Sequence, residues 1–291
     1  MNAIVIASGQ ATGPLPFNLT FDQGTLNIPK NSHLEEPLKV TVEGPSTTPL
    51  SIVIGAHSTI KIILEIADSS LDEKMYHVHL TALENSHVKY LFISEINSEA
   101  GTLDHHFTVE KHASIDLVGG FISNILTARM HVDLIGEGAD VNIRTVTVSS
   151  GRNNQTIDVL IVHKAPHTYG EMTNIGIANQ QGRITLNGVE QIEKGMKQAH
   201  AFQTLKGIIT SDEAVVAVNP ILLIDEFDVK AGHGATIGKI EEDVLYYLRS
   251  RGLTKDEAER LVINGFLKPV VDEIEDETLK ARFVNVVNAR I

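Results

Sequence analysis

From about residue 38 to 224 the chain is a succession of short runs in which every second residue is apolar, or every residue is, broken by Gly, Asn, Asp and Ser. Leu38-Lys39-Val40-Thr41-Val42, Ile60-Lys61-Ile62-Ile63-Leu64-Glu65-Ile66 and Asp140-Val141-Asn142-Ile143-Arg144-Thr145-Val146-Thr147-Val148 are examples. Period two and β-branched content predict strands. Four runs share one layout, a small or polar step followed by alternating apolar residues: Ser58–Ile62, Ser86–Tyr90, Ala113–Leu117 and Ala139–Ile143. Their anchors Ile60, Val88, Ile115 and Val141 lie 28, 27 and 26 residues apart. A nearly constant period of this size restricts the chain to a few folds. In a solenoid each repeat is a coil that hides its apolar face only by stacking on the next. A β-sandwich also gives short strands at regular spacing, so periodicity alone leaves both open. In a solenoid over 38–240, Ile60, Ile62, Val88, Ile115, Leu117, Val141 and Ile143 face inward. Val189–Leu205 reads differently: Ile192, Met196 and Ala199 mark a helix face, although Gly195 interrupts it.

After Ile240 the pattern changes to helices. Residues 241–252 carry acids in the first turn, Arg249 in the last and Gly252 just beyond, matching the helix dipole and the C-cap preference. Thr254-Lys255-Asp256-Glu257 fits a capping box ahead of Ala258, Leu261, Val262 and Phe266. A third helix is predicted from about Asp276 through Leu279, Phe283 and Val287. The expected organisation is a β core over 1–240, with 1–37 as its lead-in, and a small helical domain over 241–291. An open solenoid edge invites aggregation, so the helical tail or a dimer partner is expected to cover one end or edge.

Composition removes several functions. The sequence has no cysteine, so it holds neither a disulfide framework, a thiol nucleophile nor an iron–sulfur cluster on its own thiolates. Its 24 Lys and Arg against 37 Asp and Glu leave a net charge of −13, which argues against a nucleic-acid partner. No apolar run approaches the roughly 20 residues that span a bilayer, and residues 1–8 are too short and uncharged for a signal-peptide core. A cytoplasmic location is expected.

The 13 histidines invite a metal reading. His77-Val78-His79 puts two imidazoles on one strand face, and with Glu84 it matches part of the first cupin motif. That motif's downstream glycine is Leu91 here, and no second motif supplies a third histidine. A solvent-facing or hydrogen-bonded pair is the commoner outcome. His105 and His106, being adjacent, face opposite sides. The alternative function is therefore a metal-dependent β-helix or cupin-like enzyme using His77, His79 and Glu84. Asp225-Glu226 is a carboxylate pair of the kind a polysaccharide-cleaving β-helix uses, but it reads more simply as a turn. Nucleotide-binding and nucleophile-elbow motifs are absent.

Asn219-Pro220-Ile221-Leu222-Leu223-Ile224-Asp225, Val229–Ile240 with its Gly232-His233-Gly234-Ala235-Thr236 centre, and Leu245–Gly252 together resemble the signature of the SufB/SufD family. His163–Thr168 and Gln198–Leu205 resemble family segments upstream. The resemblance is strong over about 155–267 and carries no motif over 38–154. It implies a right-handed parallel β-helix with a C-terminal helical domain, and the SufD branch, because His233 is followed by Gly-Ala-Thr. The family's N-terminal helical domain has no counterpart, so the sequence reads as a short form. The implied role is a non-enzymatic scaffold in iron–sulfur cluster assembly, paired with a SufB-like subunit or with itself and docked to a SufC ATPase. No stably bound cofactor is implied; a transient cluster would be shared with the partner chain. His233 is the implied interface and cluster-ligating residue, since the cysteine often found two residues earlier is Ala231. Tyr246, Tyr247, Arg249 and Arg251 are the candidate ATPase contacts, aromatics and Arg being common interface anchors.

Overall fold

The computed structural model describes residues 2–7, 9–13, 15–44, 49–68, 74–96, 100–272, 274 and 277–290. The strands, in chain order, are β1 Asn2–Ala7, β2 Gln10–Thr12, β3 Thr20–Asp22, β4 Thr25–Ile28, β5 Leu38–Glu43, β6 Leu50–Ile54, β7 Thr59–Asp68, β8 Lys74–Ala82, β9 His87–Ile96, β10 Gly101–Val109, β11 Ser114–Phe121, β12 Leu126–Leu134, β13 Asp140–Ser149, β14 Asn154–His163, β15 Tyr169–Ala178, β16 Arg183–Ile192, β17 His200–Ile209, β18 Val215–Ile224 and β19 Lys230–Lys239. Odd-numbered strands from β5 to β19 stack with β1 and β2 in one sheet, and even-numbered strands from β4 to β18 stack with β3 in the other. Each coil thus gives one strand to each sheet. Every pairing is parallel except the hairpins β1–β2 and β3–β4. This is a parallel β-helix, and the sandwich alternative falls.

The repeat anchors are direct register neighbours: Ile60 pairs with Val88, Val88 with Ile115 and Ile115 with Val141. All seven residues expected to face inward are buried in one apolar column between the sheets. The corners repeat as well. Asn31, His57, Asn85, His112, Gly138, His167 and Gln198 all have left-handed φ, between 52° and 70°. Each gives its backbone N–H to a carbonyl one coil on, as His57 does to Glu84 and Asn85 to Lys111. Asn, His and Gly suit this conformation better than bulky or β-branched residues do.

Residues 189–205 are not a helix. They hold the end of β16, a corner and the start of β17. Ile192 and Ala199 converge on a small cluster at that corner, with Met196 packed against it, so the corner gathers the residues that a helix face would gather.

Three helices follow the last strand: α1 Glu242–Ser250, α2 Lys255–Val271 and α3 Glu277–Asn288. The capping box forms as expected: Glu257 N–H donates to Thr254 Oγ1 at 3.3 Å, and Thr254 N–H to Glu257 Oε2 at 2.8 Å. Asp276 lies outside the described residues. The tail leaves the end of the solenoid open and lies instead along the outer face of the first sheet. There Ile63, Leu91, Ile93, Val118, Val146 and Ile177 meet Ile263, Leu267, Phe283 and Val287. Those strands read as continuous apolar runs because both of their faces are covered. Arg282 pins α3 to Glu65, which also pairs with Lys39 at 3.0 Å. Burial raises the Glu65 carboxyl, but hydrogen bonds and charge from Lys39 and Arg282 outweigh it and hold the group below its usual range.

Candidate functional site at the open end of the solenoid

β18 and β19 close the last coil, and each is the terminal strand of its sheet, with one backbone edge unpaired among the described residues. Such edges are templates for pairing with another chain. Apolar side chains crowd this end: Ile221, Leu223, Ile224, Phe227 and Ile237 are exposed, Phe227 fully.

His233 sits at the top of an inward-facing row. From the bottom, the row reads Leu38, Ile62, Tyr90, Leu117, Ile143, Met172, Gln203, His233. Every member below His233 is buried. His233 itself is exposed only because no coil lies above it. The interior turns polar just beneath. Gln203 donates to the Ile221 carbonyl at 2.6 Å, while its Oε1 is hidden without a partner among the described residues. Buried His163 bonds to Thr168 Oγ1 at 2.8 Å through Nδ1 and lies 3.2 Å from Glu190 Oε2 through Nε2. Burial, with some repulsion from His200, pulls the His163 imidazole down to about 4. Burial first, then the Glu171 charge, pushes Glu190 well above the carboxylate range. Burial thus disfavours the charged form of both side chains. Lower in the column, Tyr90 Oη meets His105 Nε2 at 2.8 Å, and burial pulls His105 down to about 3.

The sequence resemblance singled out His233 but not the polar group beneath it. His163 and Gln203 fall within segments flagged upstream. Glu190 carried a signal of its own, a carboxylate at an inward position of a strand, and inclusion in the expected helix concealed it.

On α1 and its C-cap Arg251, Leu245 is buried while Tyr246, Tyr247, Arg249 and Arg251 are exposed, with the Arg251 guanidinium 5.3 Å from the Tyr247 ring centre. All four side chains are exposed rather than packed between the tail and the solenoid.

The cupin-like trio does not assemble. His77 and His79 share the outer face of β8, where His77 Nδ1 meets Asp104 at 3.3 Å. Glu84 lies in a corner, next to left-handed Asn85. Among the described residues, the group able to hold a metal is instead His106, His131 and Asp133. Its two histidines come from successive coils, with His106 of β10 the register neighbour of His131 of β12, and Asp133 lies two residues beyond His131. Asp225 and Glu226 form a turn in which Glu226 accepts backbone N–H groups of Phe227, Asp228 and Gly195.

Residues 41–266 match the family described as "SUF system FeS cluster assembly, SufBD core domain". The chain is 31% identical over 277 residues to the iron–sulfur cluster assembly protein SufD of Bacillus subtilis, covering 91% of this chain and 63% of that protein. A SufBD family protein of Mycobacterium tuberculosis is 27% identical over 202 residues, covering 69% of this chain and 24% of the relative. One from Staphylococcus epidermidis is 23% identical over 262 residues, covering 86% and 56%. The chain thus spans less than two thirds of the length of these relatives. No helix among the described residues is long and apolar enough to cross a membrane. With a parallel β-helix carrying the matched segments and a histidine at its open end, the chain belongs to the SufBD family of SUF-system iron–sulfur cluster assembly proteins.

Proposed function

We propose that the chain is a non-enzymatic scaffold subunit that pairs through its open last coil with a SufB-like subunit or a second copy of itself, and docks a SufC-like ATPase through α1. The observation that carries this reading is the last coil. Two ten-residue strands end their sheets with free edges, exposed apolar side chains flank them, and His233 crowns the inward row. A monomer gains nothing from such an edge, whereas a partner strand satisfies its backbone groups and covers its apolar residues. The nascent cluster is cargo held across the interface. His233 supplies an imidazole, a ligand that can replace thiolate on a cluster iron, and the partner supplies the thiolates this chain lacks. The exposed Tyr246, Tyr247, Arg249 and Arg251 have the composition of an interface anchor.

Co-purification with a SufB-like subunit and SufC tests both contacts. Ile221→Lys with Leu223→Lys should abolish pairing of the scaffold subunits while circular dichroism stays unchanged. Tyr246→Ala with Tyr247→Ala should release only the ATPase. Retention of both partners by both variants would refute the reading.

A further inference from the structure

We propose that His106, His131 and Asp133 form a binding site for one divalent transition-metal ion of the zinc or iron(II) class, on the outer face of the second sheet. The site is separate from the open end: β12 stands three strands below β18 in that sheet.

The fold brings the ligands together through its register. His79, His106 and His131 are neighbours in one outward row across β8, β10 and β12. Adjacent strands lie about 4.8 Å apart, so side chains in one row stack. The His106 and His131 rings accordingly stack at 4.9 Å with planes 19° apart, and the His79 ring meets His106 edge-on at 5.6 Å. Asp133 is two residues beyond His131 on the same strand and so shares its face. Both imidazoles turn Nε2 toward its carboxylate: His106 lies 3.1 Å from Oδ2 and His131 3.1 Å from Oδ1. The ligand atoms of the trio all fall within 4.8 Å of one another.

A hydrogen-bonded cluster does not account for the whole arrangement. His106 does bond to Asp133, and Lys164 Nζ holds the carboxylate at 2.7 Å. His131 Nε2, however, is shut away from solvent, and among the described residues its near acceptor, Asp133 Oδ1 at 3.1 Å, is already held by Lys164. A buried polar atom that must share its partner in poor geometry is incompletely satisfied. An ion between the two Nε2 atoms and the carboxylate would use that nitrogen. Metal–nitrogen and metal–oxygen distances of about 2.0–2.2 Å need only small side-chain rotations from here. Two imidazoles and one carboxylate suit zinc or iron(II) rather than magnesium or calcium, and three protein ligands leave a coordination position for water. Rigid strands hold the ligands more firmly than loops would.

Titration calorimetry of the full chain with Zn²⁺ at pH 7.5, in a non-chelating buffer, tests this. One Zn²⁺ should bind in the micromolar range or tighter, and Mg²⁺ should give no heat. His106→Ala, His131→Ala and Asp133→Asn should each weaken binding by roughly 10- to 100-fold, with melting temperatures near that of the parent. Should an alanine variant fail to fold, His106→Asn or His131→Asn is read in its place. His33→Ala, which removes an exposed histidine outside the cluster, should bind like the parent. Parent-like binding by the three cluster variants, equal loss in His33→Ala, or parent affinity weaker than about 1 mM would overturn the site.

Discussion

Histidine serves this chain in three physically distinct ways. His57, His112 and His167 hold left-handed corners, a backbone role. His79, His106 and His131 form an outward ladder. His105 and His163 are buried and neutral inside the solenoid. The last pair makes stability depend on pH. Their folded values lie below the ordinary imidazole value of 6.5, so under acid the unfolded chain takes up protons that the folded chain refuses. Stability is intact above about pH 6.5 and falls as pH drops toward 4 and 3. For His105 the loss at pH 5 is about 2 kcal/mol relative to neutrality. Urea midpoints should therefore fall between pH 7.5 and 5, and His105→Gln, which can still bond Tyr90 Oη but does not titrate, should flatten that slope. An unchanged slope would refute the assignment. At this scale the sequence was only partly legible. A histidine's type does not reveal whether it turns a corner, faces out or faces in; only its position within the coil does. The coil period was readable from Ile60, Val88, Ile115 and Val141 and, extended to the histidines, separates the ladder from the corners.

Among the elements, the helical tail shows how sequence reading succeeds locally and fails at longer range. Its capping box and acidic first turns lie in neighbouring residues and were legible. Its docking face was not, because it is set by strands far earlier in the chain, from β7 onward. The signal was there in the unbroken apolar stretches such as Leu91-Phe92-Ile93, which require cover on both faces. Phe283 packs so closely over Gly120 that a Cβ there would lie 2.3 Å from the ring. Phe283→Ala should cost about 3–5 kcal/mol, read by denaturant unfolding. Gly120→Val should expose the tail to limited proteolysis while leaving the solenoid resistant. A protected tail in Gly120→Val would show that the contact does not hold it. Residues 189–205 are the converse case, in which the folded-back corner copies the spacing of a helix face.

For the molecule as a whole, the solenoid converts chain order into a vertical axis, and the pairing surface that the proposed function needs sits at its top. Stacking alone explains why the coils hold together, but it leaves the last coil bare, and the tail, lying along the side, does not cover it. The solenoid's pattern was visible in the repeat, and the choice between solenoid and sandwich came from the family resemblance. The open end was not predictable from periodicity, because a repeat does not say what caps it. The most direct test of the scaffold account is His233→Ala in a complex reconstituted with a SufB-like subunit and SufC, with iron and sulfide content and subunit assembly measured separately. The account predicts an assembled complex whose cluster content falls by roughly tenfold or more. An assembled complex with normal cluster content would contradict it.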